Sequence, residues 1–136
     1  MIIGIGTDIC DIRRIETLLD KFGERFPRKA FTKGERERSD TSSTRASSYA
    51  KRFAAKEAAA KALAGTHTGA LSWQDVEVIN HPSGKPEILL HGVALQRLET
   101  QIETGQSWKI HLSLTDDYPY AQAFVIIETF VSVEPI

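Results

Sequence analysis

The segment 51–63, "KRFAAKEAAAKAL", constrains the fold more than any other stretch of the chain. Alanine has the highest helix propensity and a minimal side chain, so the segment predicts a straight helix, from about 49 to 64, that packs tightly on several sides. Charge on such a rod needs a reason, and Arg52, Lys56, Glu57 and Lys61 recur along it at roughly one-turn spacing. On a helical wheel Glu57 falls among Ala50, Phe53, Ala60 and Ala64, the side expected to face the core, with Lys61 at its margin. Two readings stay open. Glu57 and Lys61 form an i,i+4 ion pair worth about 0.3 kcal/mol on an exposed helix. Alternatively, the alanines admit a ligand, Glu57 supplies an oxygen to a hard cation, and Lys61 meets anionic substrate oxygens.

One carboxylate is a poor divalent site, so the second reading needs another acid and a phosphate. Asp8 is the best candidate. It ends a predicted strand, 2–8, in which Gly4, Gly6 and Asp8 share one face and Ile3, Ile5 and Thr7 the other. The bare glycine face permits close approach. Asp8 is also placed to cap the following helix, a role for which Asp11 competes. That helix is marked by Ile12, Ile15, Leu19 and Phe22 and stops at Gly23.

The stretch 24–40 is strongly charged, and 39–48 reads as a polar loop. Beyond the alanine helix, strands at 76–79 and 87–92 flank the turn "HPSGKP" as a hairpin, and a short helix is expected over 93–103. A second hairpin pairs 108–115 with 120–131 across "DDYP". This order predicts a single α+β domain over 1–136 with a mostly antiparallel sheet.

A formal charge of -1 argues against a generic polyanion binder, so nucleic acid is not an expected partner. Cys10 is the only cysteine, which excludes an intrachain disulfide and suits a reducing compartment. The opening "MIIGIG" is too short and unflanked for a signal peptide, and no apolar run approaches membrane-spanning length, so a cytoplasmic location and no membrane partner are expected. "GIG" lacks the third glycine of a dinucleotide fingerprint, and His67, His81, His91 and His111 lack zinc spacing. No pattern suggests covalent catalysis. Arg13, Arg14, Arg25, Arg28 and Lys29 concentrate positive charge near the start, as a solvated face or as a docking patch for an acidic protein.

Five stretches in order, "GIGTDICDIRRIE", "FPRKAFTKGE", "KRFAAKEAAAKAL", "GKP" and "HLSLTDDYPYAQAFVIIE", resemble the small bacterial class of 4'-phosphopantetheinyl transferases, the holo-acyl carrier protein synthases. The resemblance implies transfer of phosphopantetheine from coenzyme A to a serine of acyl carrier protein in fatty acid biosynthesis, releasing adenosine 3',5'-bisphosphate. By the same resemblance Asp8 and Glu57 match Mg2+ ligands, Lys61 holds the pyrophosphate, and Arg52 meets phosphate. Gly84, Lys85 and Pro86 would lie near the adenine, from a neighbouring subunit of a homotrimer. Arg14, Arg25 and Arg28 would receive the carrier protein. Glu57 and a water compete for the serine proton. The chain departs from the common family pattern at Asp116, where many members carry His, and at Ala64-Gly65-Thr66, where Gly-Thr-Gly is common. Gly65 is still expected beside the coenzyme. A non-catalytic module that holds coenzyme A or an acidic partner is the rival reading.

Overall fold

The computed structural model describes residues 1–65 and 69–132, beginning with strand β1 (Ile2–Asp11). Asp11, rather than Asp8, caps helix α1 (Ile12–Phe22): its Oδ1 accepts from the Arg13 amide at 3.0 Å. Gly23 ends α1 at φ 56°, a conformation glycine adopts without a Cβ clash, and its N–H bonds to Leu19.

Two helices follow where the sequence shows mainly charge, α2 (Arg25–Ala30) and α3 (Lys33–Asp40). A capping box starts α3, with Thr32 and Glu35 satisfying each other's amides. Helix α4 (Arg45–Leu63) begins four residues earlier than expected, so the expected polar loop 39–48 shrinks to 41–44. Two of the serines that suggested a loop are interior joints instead. Ser39 and Ser48 are buried with their hydroxyls 2.8 Å apart, and Asp40 accepts from Tyr49 at 2.8 Å and from Arg45 at 2.9 Å.

A 3₁₀ turn (Trp73–Asp75) leads into the expected first hairpin, β2 (Val76–Asn80) and β3 (Pro86–Leu90). Helix α5 (Gly92–Glu99) stops short of the expected 103. The second hairpin, β4 (Gln106–Asp117) and β5 (Tyr120–Val131), turns within Tyr118 and Pro119. The main sheet runs β1-β5-β4, antiparallel throughout, so the molecule is α+β as the element order predicts.

Small residues set how closely helix meets sheet. A Cβ on Gly4 would overlap the Ala62 carbonyl, and one on Gly6 the Ala58 carbonyl, so α4 lies directly against β1. Ala121, Ala123, Val125 and Ile127 of β5 continue that buried face. The opposite face does not alternate to polar, because Ile5, Ile9 and Phe124 are 57%, 62% and 41% exposed. No helix among the described residues is long and apolar enough to cross a membrane.

Candidate active site

Asp8 and Glu57 lie 49 positions apart in the chain but line one cleft of about 210 Å³, together with Cys10, Arg14, Phe53 and Trp73. Tight glycine packing carries Asp8 to α4, since Asp8 shares the β1 face that Gly4 and Gly6 press against the helix. Lys61, one turn beyond Glu57, donates to the Thr7 carbonyl at 2.9 Å and to Asp8 Oδ1 at 3.3 Å. Lys61 therefore pairs with Asp8, which sets aside the i,i+4 ion pair with Glu57. Glu57 Oε1 instead accepts from the Trp73 indole at 3.0 Å.

The wheel reading of Glu57 needs correction. Ala54, Ala55, Ala58, Ala59 and Ala62 are buried, whereas Glu57 and Ala60 are half-buried and Lys61 is exposed. Glu57 rides the open stripe of α4. The alanines next to it belong to a helix buried on its remaining sides, which hydrophobicity cannot rank when nearly every residue is alanine.

No group of three or more His, Cys, Asp or Glu converges among the described residues, and the carboxylates that line this cleft are Asp8 and Glu57. That set fits Mg2+, which binds through one or two carboxylates and completes its octahedron with substrate phosphate and water. Cys10 contributes no nucleophile. Burial pushes its thiol up to about 11, opposed in part by Arg14, so it stays protonated at neutral pH.

A second cleft, of about 340 Å³, gathers Arg52, Lys51, Ser48, Asn80, Gly84 and Pro86. Arg52 is buried and donates to Ser48 Oγ and Asn80 Oδ1, both at 2.7 Å, while its Nε has no partner. Burial lowers its pKa, but a guanidinium stays charged. Lys85, exposed, sits in the adjoining turn, and Asp116 pairs with Lys51 at 3.3 Å. Gly65 lines neither cleft. It follows α4 at φ 50°, where a Cβ would meet the Gln101 amide.

A third groove, of about 380 Å³, has an apolar floor of Leu18, Phe22 and Phe26 and a rim of Arg14, Arg25 and Lys29. Arg14 stacks over Phe53 at 5.7 Å and lines both this groove and the Asp8 cleft. Arg28 is exposed on α2, outside the lining.

Sequence reasoning missed an internal ion pair. Lys56 Nζ, fully buried, donates to Glu35 Oε1 at 2.7 Å, to the Trp73 carbonyl at 2.8 Å, and to the Val76 carbonyl. Burial lowers the Lys56 pKa and Glu35 opposes that shift. The readable signal was Thr32-x-x-Glu35, a capping box whose acid turns inward.

A family model for the 4'-phosphopantetheinyl transferase superfamily matches residues 4–123. The chain belongs to that superfamily. Within it, a holo-[acyl-carrier-protein] synthase of Caulobacter sp. (strain K31) is 59% identical over 94% of this chain and 96% of its own. The crystal structure of the Neisseria meningitidis holo-[acyl-carrier-protein] synthase superposes with a TM-score of 0.78 at 40% identity, covering 94% of this chain and 99% of that one. A Bacillus anthracis synthase solved in complex with CoA (3',5'-ADP) gives 0.70 at 33% identity, covering 93% and 96%. As a phosphopantetheinyl transferase, the chain is an enzyme.

Proposed function

We propose that this chain transfers 4'-phosphopantetheine from coenzyme A to a serine of an apo acyl carrier protein, releasing adenosine 3',5'-bisphosphate. One observation carries the assignment: Asp8, Glu57 and Lys61 converge between β1 and α4 in a chain of this superfamily. The serine oxygen bonds to the phosphorus that bears pantetheine, and the bond from that phosphorus to the bridging oxygen breaks. The serine proton passes to a base. Asp8 and Glu57 would hold Mg2+, and the cation when bound would supply polarisation of the phosphoryl group and charge neutralisation at the leaving group. Lys61 turns its ammonium from Asp8 toward the pyrophosphate.

Arg52 and the Gly84–Pro86 turn, with Lys85, take the nucleotide end. Their cleft shares no lining residue with the Asp8 cleft. A homotrimer would join the two across a subunit boundary, and the apolar outer face of the sheet supplies a surface that such an assembly would cover. Arg14, Arg25 and Arg28 receive the acidic carrier protein over the groove of α1 and α2, where charge mainly raises the association rate. The enzyme acts in the cytoplasm, as one domain.

The test is direct. Incubation with apo carrier protein, coenzyme A and Mg2+ should add the phosphopantetheine mass, and EDTA should stop the reaction. A carrier protein of unchanged mass would refute the assignment.

A further inference from the structure

The Glu57 carboxylate is held from the side opposite its own helix. Trp73 opens the turn before β2, and its indole N–H donates to Glu57 Oε1 at 3.0 Å. The ring is tilted against Phe53 with centroids 5.5 Å apart, which holds one of its faces while the ring stays 36% exposed. Its backbone is pinned as well. Lys56, the residue before Glu57, reaches the other way through the core to the Trp73 carbonyl at 2.8 Å.

All three ammonium protons of Lys56 are committed, to Glu35 and to the carbonyls of Trp73 and Val76. Glu35 in turn accepts from the Val78 amide at 2.9 Å and the Thr32 amide at 2.9 Å. The side chain of Lys56 thus crosses to the 73–76 segment, and the segment returns a hydrogen bond to the very next residue of α4. A half-buried carboxylate on an open helix stripe would otherwise sample several rotamers.

We propose that Trp73 is a positioning residue for Glu57, held by the buried Lys56–Glu35 pair, which fixes the carboxylate so that its second oxygen serves the divalent cation. The inference rests on the reading of Glu57 as a metal ligand. A hydrogen-bond donor behind a metal-binding carboxylate spares the entropy of ordering it when the cation arrives, and loss of such a partner weakens metal affinity by roughly tenfold or more. Lys56 has no proton left for substrate, so its effect on the reaction runs through this chain of contacts.

Trp73→Phe is the decisive variant, because it keeps an aromatic ring against Phe53 and deletes only the N–H and the second ring. Mn2+ binding is read by electron paramagnetic resonance of the free ion, with coenzyme A present, for the wild type, Trp73→Phe and Glu57→Gln. The expected result is roughly tenfold weaker Mn2+ binding in Trp73→Phe. The Mn2+ concentration for half-maximal turnover should rise by a similar factor. A purely structural role would instead lower the melting temperature and leave Mn2+ affinity alone. Mn2+ binding equal to wild type in Trp73→Phe, while Glu57→Gln loses it, overturns the positioning role and leaves the metal site standing. If the wild type and Glu57→Gln bind Mn2+ alike, the metal reading of Glu57 and the inference fall together.

Discussion

Lys56 and Glu57 are neighbours in sequence and differ by about 100° around the helix, which is enough to give them opposite fates. Lys56 is sealed in the core against Glu35, while Glu57 faces the cleft. Replacing Lys56 by Met should cost about 3–5 kcal/mol in urea unfolding, because Glu35 would remain buried without its cation. Glu57→Gln should behave in the reverse manner. The amide keeps size and shape but gives up the negative charge, so turnover should fall roughly hundredfold or more with the unfolding midpoint nearly unchanged. Asp8→Asn should match it in mass-spectrometric assays of carrier-protein modification.

Between elements, contacts at the two ends of α4 set its position. At its C-terminal half the Ala58 and Ala62 carbonyls sit where Cβ atoms on Gly6 and Gly4 would be. Gly6→Ala should therefore destabilise the fold by about 3 kcal/mol or more, since backbone must move to relieve the overlap, and chemical denaturation will measure it. At its start, Asp40 at the end of α3 binds Arg45 and Tyr49. Burial alone would raise the Asp40 pKa, but these hydrogen bonds hold it below its ordinary value of 3.8. A carboxyl with a lower pKa in the folded state adds stability above the unfolded value and loses it as pH falls through the folded one. Melting temperature should accordingly drop more steeply below about pH 4 in the wild type than in Asp40→Asn.

At the scale of the whole molecule, the outer sheet face is the unsettled surface of a single chain. Ile5 pairs with Ile126 across the β1–β5 register and Thr7 with Phe124, which gives an apolar centre to a face that a monomer would expose to water. Phe124→Lys should convert the proposed trimer to monomers by light scattering, and coenzyme A turnover should fall with it as the two clefts part. A monomeric wild type at working concentration would remove the basis for a site shared between subunits.

Much of this architecture could be read from local pattern. Asp11 and Gly23 bound α1 as cap chemistry requires, the β-branched runs make the two hairpins, and the alanine run makes α4. Helix α3 escaped because the residues it buries, Glu35 and Ser39, are polar, and α2 because six residues with Pro27 and Ala30 buried are too few to show a period. Lys56 and Trp73 escaped for a related reason: their partners are backbone carbonyls and a carboxylate far away in sequence. By itself the chain determined α1, α4 and the two hairpins, its glycine-lined strand and the residue types able to bind a cation and a phosphate. Only tertiary structure decided that Asp8 and Glu57 share a cleft while Lys56 does not, because convergence depends on how closely β1 can approach α4 and on which side of an almost uniform helix the sheet settles.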